Sequence, residues 1–330
     1  MTRSYYPSIN ILRGIAALLV CVYHFTNHTD HHGDFFASGG WTQRMGEWGT
    51  MGVFVFFIIT GFVIPLSMMK YDFRLRQLPR FLAKRWLRIE IPYIASIALF
   101  LVVDGIFHMK NGTTWDFDVF QLLHHLVYTV ALCEHEWYNP IYWTLAIEMQ
   151  FYLLIAFLFP LFTTSKQWLN GLIPMAFAAS SLLLPDHRLV FHYAPIFSQG
   201  IYLLLIMQKR LPIHWGIAGI LMSAGISSYV NGADIAATGL VTIAIIAFTN
   251  IDWKPFNRLG TISYSLYLTH GLIGGNVIYL LGRYAESFGS KMLVFVVALF
   301  GSIAFARVYW WLIERPSQGW SKGVRLGSGK

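Results

Sequence analysis

Charged residues are scarce. They make up 12% of the 330-residue chain, where a soluble protein carries about a quarter. With 56% hydrophobic residues and a mean hydropathy of +0.53, that scarcity excludes an ordinary soluble domain. Such a core needs far less apolar sequence, so the excess has to meet lipid. Cysteine is nearly absent: Cys21 and Cys133 offer at most one bridge, which excludes a disulfide framework. Cys21 lies inside an apolar run, where no structural bridge is expected. There is no Pro/Ser-rich linker, no soluble appendage and no visible internal repeat. One membrane domain over 1–330 follows, without the inverted halves of many transporters. The net charge of +8 would suggest a polyanion partner in a soluble domain. No alternation of bases and aromatics points to nucleic acid here.

What is present is a series of long apolar runs. The chain reads as an all-α polytopic integral membrane protein with about ten transmembrane helices, each near the roughly 20 residues a bilayer requires. They fall near 9–26, 51–69, 91–108, 141–162, 169–184, 191–208, 213–230, 234–250, 260–281 and 291–313. The stretch 119–132 is apolar but shorter and broken by His124 and His125, as expected of an interfacial or re-entrant helix. Phe25 is followed by TNHTDHHGD, which has no small-residue cleavage pattern, so the first run is kept as a mature helix. The segment 70–88 carries seven basic residues and one acid. Lys166, Lys209–Arg210, Lys254–Arg258 and the tail from Arg315 fall on the same side of a ten-helix alternation. The positive side is cytoplasmic, and both termini are expected there.

Ionisable groups inside such runs are costly and are expected to face one another or a wet cavity. Arg13 lies in the inner half of the first span; His24 is about 16 Å further out at 1.5 Å per residue. Glu148, roughly two turns below the outer surface in the fourth span, is expected at the depth of His24. Ser263, Tyr267 and His270 share a face of the ninth span, and Arg307 lies in the tenth. A histidine–carboxylate pair suits proton transfer, because the carboxylate fixes the tautomer and stabilises the imidazolium. The plainer reading of His24 and Glu148 is a buried polar pair that locks helices together. A metal reading rests on the i, i+4 spacing of His24 and His28, but no third ligand is fixed by spacing. His28, His31 and His32 are expected to be solvated. Arg85 and Arg88 lie three apart at the cytoplasmic surface, a fork suited to a phosphate or pyrophosphate. Topology and lipid headgroups account for the other bases of 70–84.

Several stretches carry a family resemblance: NILRGIAALLVCVYHF, GVFVFFIITGFVI with Thr60, FLAKRWLRIEIPY with Arg85 and Arg88, and YWTLAIEMQFYLL with Trp143, Glu148, Gln150 and Tyr152. ISYSLYLTH and IERP add to them. Over nearly its whole length the chain resembles acyltransferase family 3, the transmembrane O-acyltransferases of bacterial envelope glycans. It departs at Asn10 and Ile11, where Asp and Gly are common, and at Met149, where a second glutamate is frequent.

The resemblance implies a stand-alone member in the bacterial cytoplasmic membrane. It would bind no permanent cofactor and use acyl-CoA, most simply acetyl-CoA, as co-substrate. The acceptor would be a hydroxyl of exopolysaccharide, lipopolysaccharide or a lipid-linked sugar. Arg13, Arg85 and Arg88 would hold the donor. His24 would act as base or nucleophile, with Glu148 orienting it, and Trp143, Gln150, Tyr152, Tyr267 and His270 would line the site. A transporter or flippase of a lipid-linked sugar or proton-coupled solute also needs buried Arg, His and Glu, and stands as the alternative.

Overall fold

The computed structural model describes residues 6–30 and 33–324; His31 and His32 lie outside them. The expectation of an all-helical membrane protein holds. Helix α1 (Pro7–Thr26) leads through a two-residue antiparallel pair, β1 (Thr29–Asp30) and β2 (Gly33–Asp34), to a short α2 (Trp41–Glu47). Then come α3 (Met51–Lys70), α4 (Leu78–Asn111), α5 (Val119–Leu126), α6 (Trp143–Phe162), α7 (Gln167–Ala179) and α8 (Ala194–Met207). The chain continues through α9 (Ile213–Val230), α10 (Ala233–Phe248), α11 (Lys254–Thr261), α12 (Ser263–Gly282), α13 (Phe288–Tyr309) and α14 (Arg315–Gly323). Each expected span falls on a helix. Among the described residues seven helical runs are long and apolar enough to cross a membrane by length and composition. Of the rest, α7 and α10 have 13 and 16 residues, while α12 has 20 but carries serines, a threonine and His270 on its buried side.

Close approach of small residues brings the helices together. A Cβ at Gly61 would lie 2.2 Å from the Phe197 carbonyl oxygen, and one at Gly200 the same distance from that of Ile58. Only glycine allows α3 and α8 to meet backbone to backbone, as packing without a hydrophobic drive in lipid favours. Beside that seam Phe197 stacks between Phe57 and Phe151, at centroid distances of 4.9 and 4.2 Å. A second apolar cluster joins α1, α12 and α13 through Phe25, Leu266 and Ala298. A third, rich in tyrosine, lies between α1, α4, α6 and α12.

Two features depart from a simple alternation of spans and loops. The basic segment before the third span is mostly helix: α4 starts at Leu78, and Ser321 of α14 donates to the Lys84 carbonyl at 2.9 Å. The segment after α4 is re-entrant. Tyr128 donates to Glu90 at 2.7 Å, whereas Asp104, near the other end of α4, accepts from Trp115 at 2.9 Å. Those two acids are about 21 Å apart along the helix. The expected helix over 119–132 stops at Leu126, and Tyr128 adopts a left-handed φ of 59°. Buried backbone in a membrane must be paired, and His125 helps to do so. Its Nδ1 meets the Gln121 carbonyl at 2.8 Å, and its Nε2 accepts from the Tyr138 amide at 3.0 Å.

Candidate active site

Two groups of polar side chains sit inside the bundle, one beyond the other along α1. The first surrounds a cavity of about 180 Å³. Arg13 enters it from α1, Thr60 from α3, Arg85 and Arg88 from α4, Glu148 and Tyr152 from α6, and Tyr264 and Tyr267 from α12. Glu148 and Tyr152 are one turn apart on α6, and the Tyr152 hydroxyl donates to Glu148 Oε1, which also accepts from Thr60 at 3.2 Å. Glu314 completes the lining. It sits on a π-helical turn, Trp310–Glu314, a wide turn of the kind often found at functional sites. Its carboxylate accepts from the Ser265 amide and hydroxyl at 3.1 and 2.5 Å and from Gln318 at 2.7 Å.

The carboxylates are thus well hydrogen-bonded, whereas the guanidiniums are not. Among the described residues no hydrogen bond or ion pair ties the side chains of Arg13, Arg85 or Arg88, and Arg85 Nε is buried without a partner. Arg85 instead faces the rings of Phe81 and Tyr152 at 5.5 and 5.8 Å. Burial distinguishes the two α4 arginines: Arg85 is 8% exposed, not at the surface as its place in the sequence suggested, while Arg88 lines the cavity and is also exposed. Three cations outnumber two carboxylates here. Unpaired charge in a low-dielectric setting is costly, so this arrangement is suited to an anion.

The second group is His24 with His270. His270 is fully buried, and its Nδ1 faces the carbonyls of Leu266 and Tyr267 at 3.1 and 2.8 Å. Two acceptors at one ring nitrogen place the proton there, which leaves Nε2 as a lone pair. That lone pair lies 3.2 Å from His24 Nδ1, which also meets the Val20 carbonyl at 2.9 Å. His24 Nδ1 therefore donates, and its Nε2 is left with the lone pair that a base or nucleophile needs. Tyr267 stands between the groups. It lines the cavity on one side and lies 6.1 Å from the His270 ring on the other. Hydrogen bonds to Thr144 at 2.7 Å and to the Ile141 carbonyl at 3.1 Å lock its hydroxyl.

The expected His24–Glu148 pair does not form. Depth counted from the loop fails because the loop itself dips inward: Tyr142, just before α6, is buried and shares a 3.0 Å hydrogen bond with Ser96 of α4. Glu148 accordingly faces the arginine cavity. Arg13, Arg85, Arg88, Glu148, Tyr152 and Tyr267 come together, and His24 pairs with His270. Trp143 and Gln150 line neither group. Trp143 packs on Phe57 and Tyr193, at 6.2 and 5.5 Å, and Gln150 bonds the backbone at Arg188 and Val190, at 3.0 and 2.8 Å. Two residues along a helix from Glu148 is about 200° round it, which turns Gln150 to the opposite face. Arg307 is exposed over Trp310 instead of turned inward. His28 is partly buried against α12, beside Gly275, and is not a solvated loop residue. Among the described residues no three of His, Cys, Asp or Glu are arranged to hold a metal ion.

Glu314 and Tyr264 had no role assigned from sequence. The signal for Glu314 was its place in the IERP match, within an otherwise apolar span end. Tyr264, whose hydroxyl donates to the Ile89 carbonyl at 2.9 Å, had no signal beyond its helix.

A family model described as an acyltransferase domain matches residues 6–311. The chain is also similar to "Nodulation protein 10" from Rhizobium leguminosarum bv. viciae, with 25% identity over 362 aligned positions, 94% of this chain and 92% of that protein. No solved structure matches significantly.

Proposed function

Since the chain belongs to this acyltransferase domain family and is a membrane acyltransferase, we propose that it carries an acetyl group from cytoplasmic acetyl-CoA to a hydroxyl of an envelope or exported glycan. The observation that carries this reading is the set of three guanidiniums without a hydrogen bond or ion pair among the described residues, in a cavity adjoining, across Tyr267, the His24–His270 pair. A cavity of about 180 Å³ is below the range of about 300–1,000 Å³ usual for whole ligands. The donor's nucleotide accordingly stays at the mouth near Arg88, and its phosphates and the start of its pantetheine arm engage Arg85 and Arg13. Bidentate guanidinium contacts suit phosphate oxygens. Glu148 and Glu314 keep the cluster near neutrality when no donor is bound.

His24 Nε2 takes the proton of the acceptor hydroxyl as its oxygen attacks the thioester carbon. The carbon–sulfur bond breaks, and the imidazolium returns the proton to the departing thiolate, giving an ester and a free thiol. Direct attack by His24 Nε2, followed by transfer from the acyl-imidazole, uses the same groups. In either route His270 accepts the Nδ1–H of His24 and holds the ring, the part expected of a carboxylate from sequence. The setting we propose is the bacterial inner membrane with both termini cytoplasmic, supported by the basic segments at 70–88, 166 and 209–210.

The test is purified protein with radiolabelled acetyl-CoA and without acceptor. Saturable binding with slow thioester hydrolysis, the hydrolysis abolished by His24→Ala while binding persists, is the expected result. A protein that binds no acetyl-CoA, or a His24→Ala variant that hydrolyses it normally, refutes the proposal. Comparing the masses of envelope glycans from wild-type and deletion strains identifies the acceptor.

A further inference from the structure

Away from both polar groups, α7, α8 and α9 enclose a lipid-facing groove of about 560 Å³. Its walls are Leu172 and Met175 of α7 and Trp215 and Met222 of α9, with Trp168 at the rim. Gly171 leaves the space open, since a Cβ there would meet only Leu211, and Gly219 lets the Tyr202 ring pack close against α9. Tyr202 of α8 forms the floor: its hydroxyl donates to the Gly171 carbonyl at 2.6 Å, and its ring lies where a Cβ on Gly219 would be, 2.4 Å away.

Three cations lie next in the chain to one end of the groove: Lys166 precedes the lining residue Gln167, and Lys209 and Arg210 precede the lining residue Leu211. The buried Asn170 fixes these two loops together, donating to the carbonyls of Thr164 at 3.1 Å and Arg210 at 3.0 Å. All three cations are exposed and, among the described residues, none has an ion-pair partner. From 163 to 215 the sequence holds one acid, Asp186, and Arg188 has it in an ion pair at 2.8 Å.

We infer that this groove binds an anionic diacyl phospholipid, one acyl chain along the apolar walls and the phosphate on Lys166, Lys209 and Arg210. The exposed Trp168 and Trp215, near these cations in the chain, match the level at which indoles sit between headgroups and chains. The combination of neighbouring cations and an apolar slot is amphiphilic in the same sense as such a lipid. A zwitterionic lipid fits the slot but gains little from the cations. The site is separate from the chemistry, so it stands whether or not the acyl-transfer reading does.

The test is native mass spectrometry of the full chain released from nanodiscs of equal parts phosphatidylglycerol and phosphatidylcholine. Wild type is expected to retain phosphatidylglycerol preferentially. The triple variant Lys166→Gln, Lys209→Gln, Arg210→Gln is expected to lose that preference, by up to about fivefold for each cation. Gly171→Leu should reduce retention of both lipids, because its Cβ would meet only Leu211, at 3.6 Å, and the side chain fills the slot. Unchanged gel-filtration profiles and melting temperatures show that the variants fold. Equal retention of both lipids by wild type, or unaltered retention by Gly171→Leu, overturns the inference. Displacement of phosphatidylglycerol by a polyprenyl phosphate at equal concentration, or a crosslink from Trp168→Cys to a second copy, assigns the groove to another occupant and overturns it too.

Discussion

Replacing His270 tests the hydrogen-bond chain on which the chemistry rests. His270 Nε2 accepts from His24 Nδ1 at 3.2 Å, and its own Nδ1 is tied to two backbone carbonyls. When His24 takes a proton, that acceptor lies against an imidazolium, and a hydrogen bond to a charged group contributes about 1.5–3 kcal/mol. His270→Leu removes the acceptor and keeps the bulk, so kcat should fall about 10- to 150-fold. His270→Gln can present its amide oxygen to His24 and should recover much of the loss. The apparent affinity for acetyl-CoA should stay near wild type in both, since His270 is absent from the cavity lining. A double variant with His24→Ala should be little worse than His24→Ala alone, because the two rings act as one unit. The assay is acetyl transfer by purified, folded protein, with kcat and KM measured separately. Equal rates for Leu and Gln variants, or a loss confined to KM, would sink the idea that His270 positions His24.

The remaining predictions concern the donor cavity, the fold and the topology. Arg85→Ala should weaken acetyl-CoA binding about 10- to 100-fold by calorimetry, with Lys restoring only part of it; unchanged affinity with a defect only in acceptor use assigns Arg85 elsewhere. Tyr128→Phe removes the hydroxyl that donates to Glu90 at 2.7 Å and should destabilise by about 1–3 kcal/mol, read as a lower melting temperature in detergent. Gly200→Ala forces a Cβ to within 2.2 Å of the Ile58 carbonyl; overpacking of about 1–3 kcal/mol should lower the melting temperature while Gly225→Ala, where a Cβ meets nothing within 4 Å, leaves it unchanged. Native Cys133 is exposed and Cys21 buried, so an impermeant maleimide on intact cells should label Cys133. Labelling only after the membrane is opened would invert the topology.

The sequence by itself determined the class. Charge scarcity and hydrophobic runs long enough for a bilayer require helices in lipid, because backbone polar groups there must be satisfied within the segment. It also singled out four residues that line the arginine cavity, without grouping them: Arg85 and Arg88 because they lie three apart at the start of a span, Arg13 and Glu148 because ionisable groups in apolar runs are too costly to leave facing lipid. The same argument misplaced Arg307, which lies exposed on the Trp310 ring. What only the tertiary structure decided is which of these groups meet. Depth along a helix can be counted from a sequence only if its loops lie at the surface. The segment after α4 descends beside Glu90 and leads into a buried Tyr142, so the count to Glu148 starts from the wrong level. His24 therefore faces His270 across α1 and α12, while Glu148 meets Tyr152 and Thr60. Glu314 reaches the cavity by way of a π-helical turn. Partners of that kind are set by helix register, tilt and wide turns, which depend on packing between segments far apart in the chain and leave no local periodicity to read.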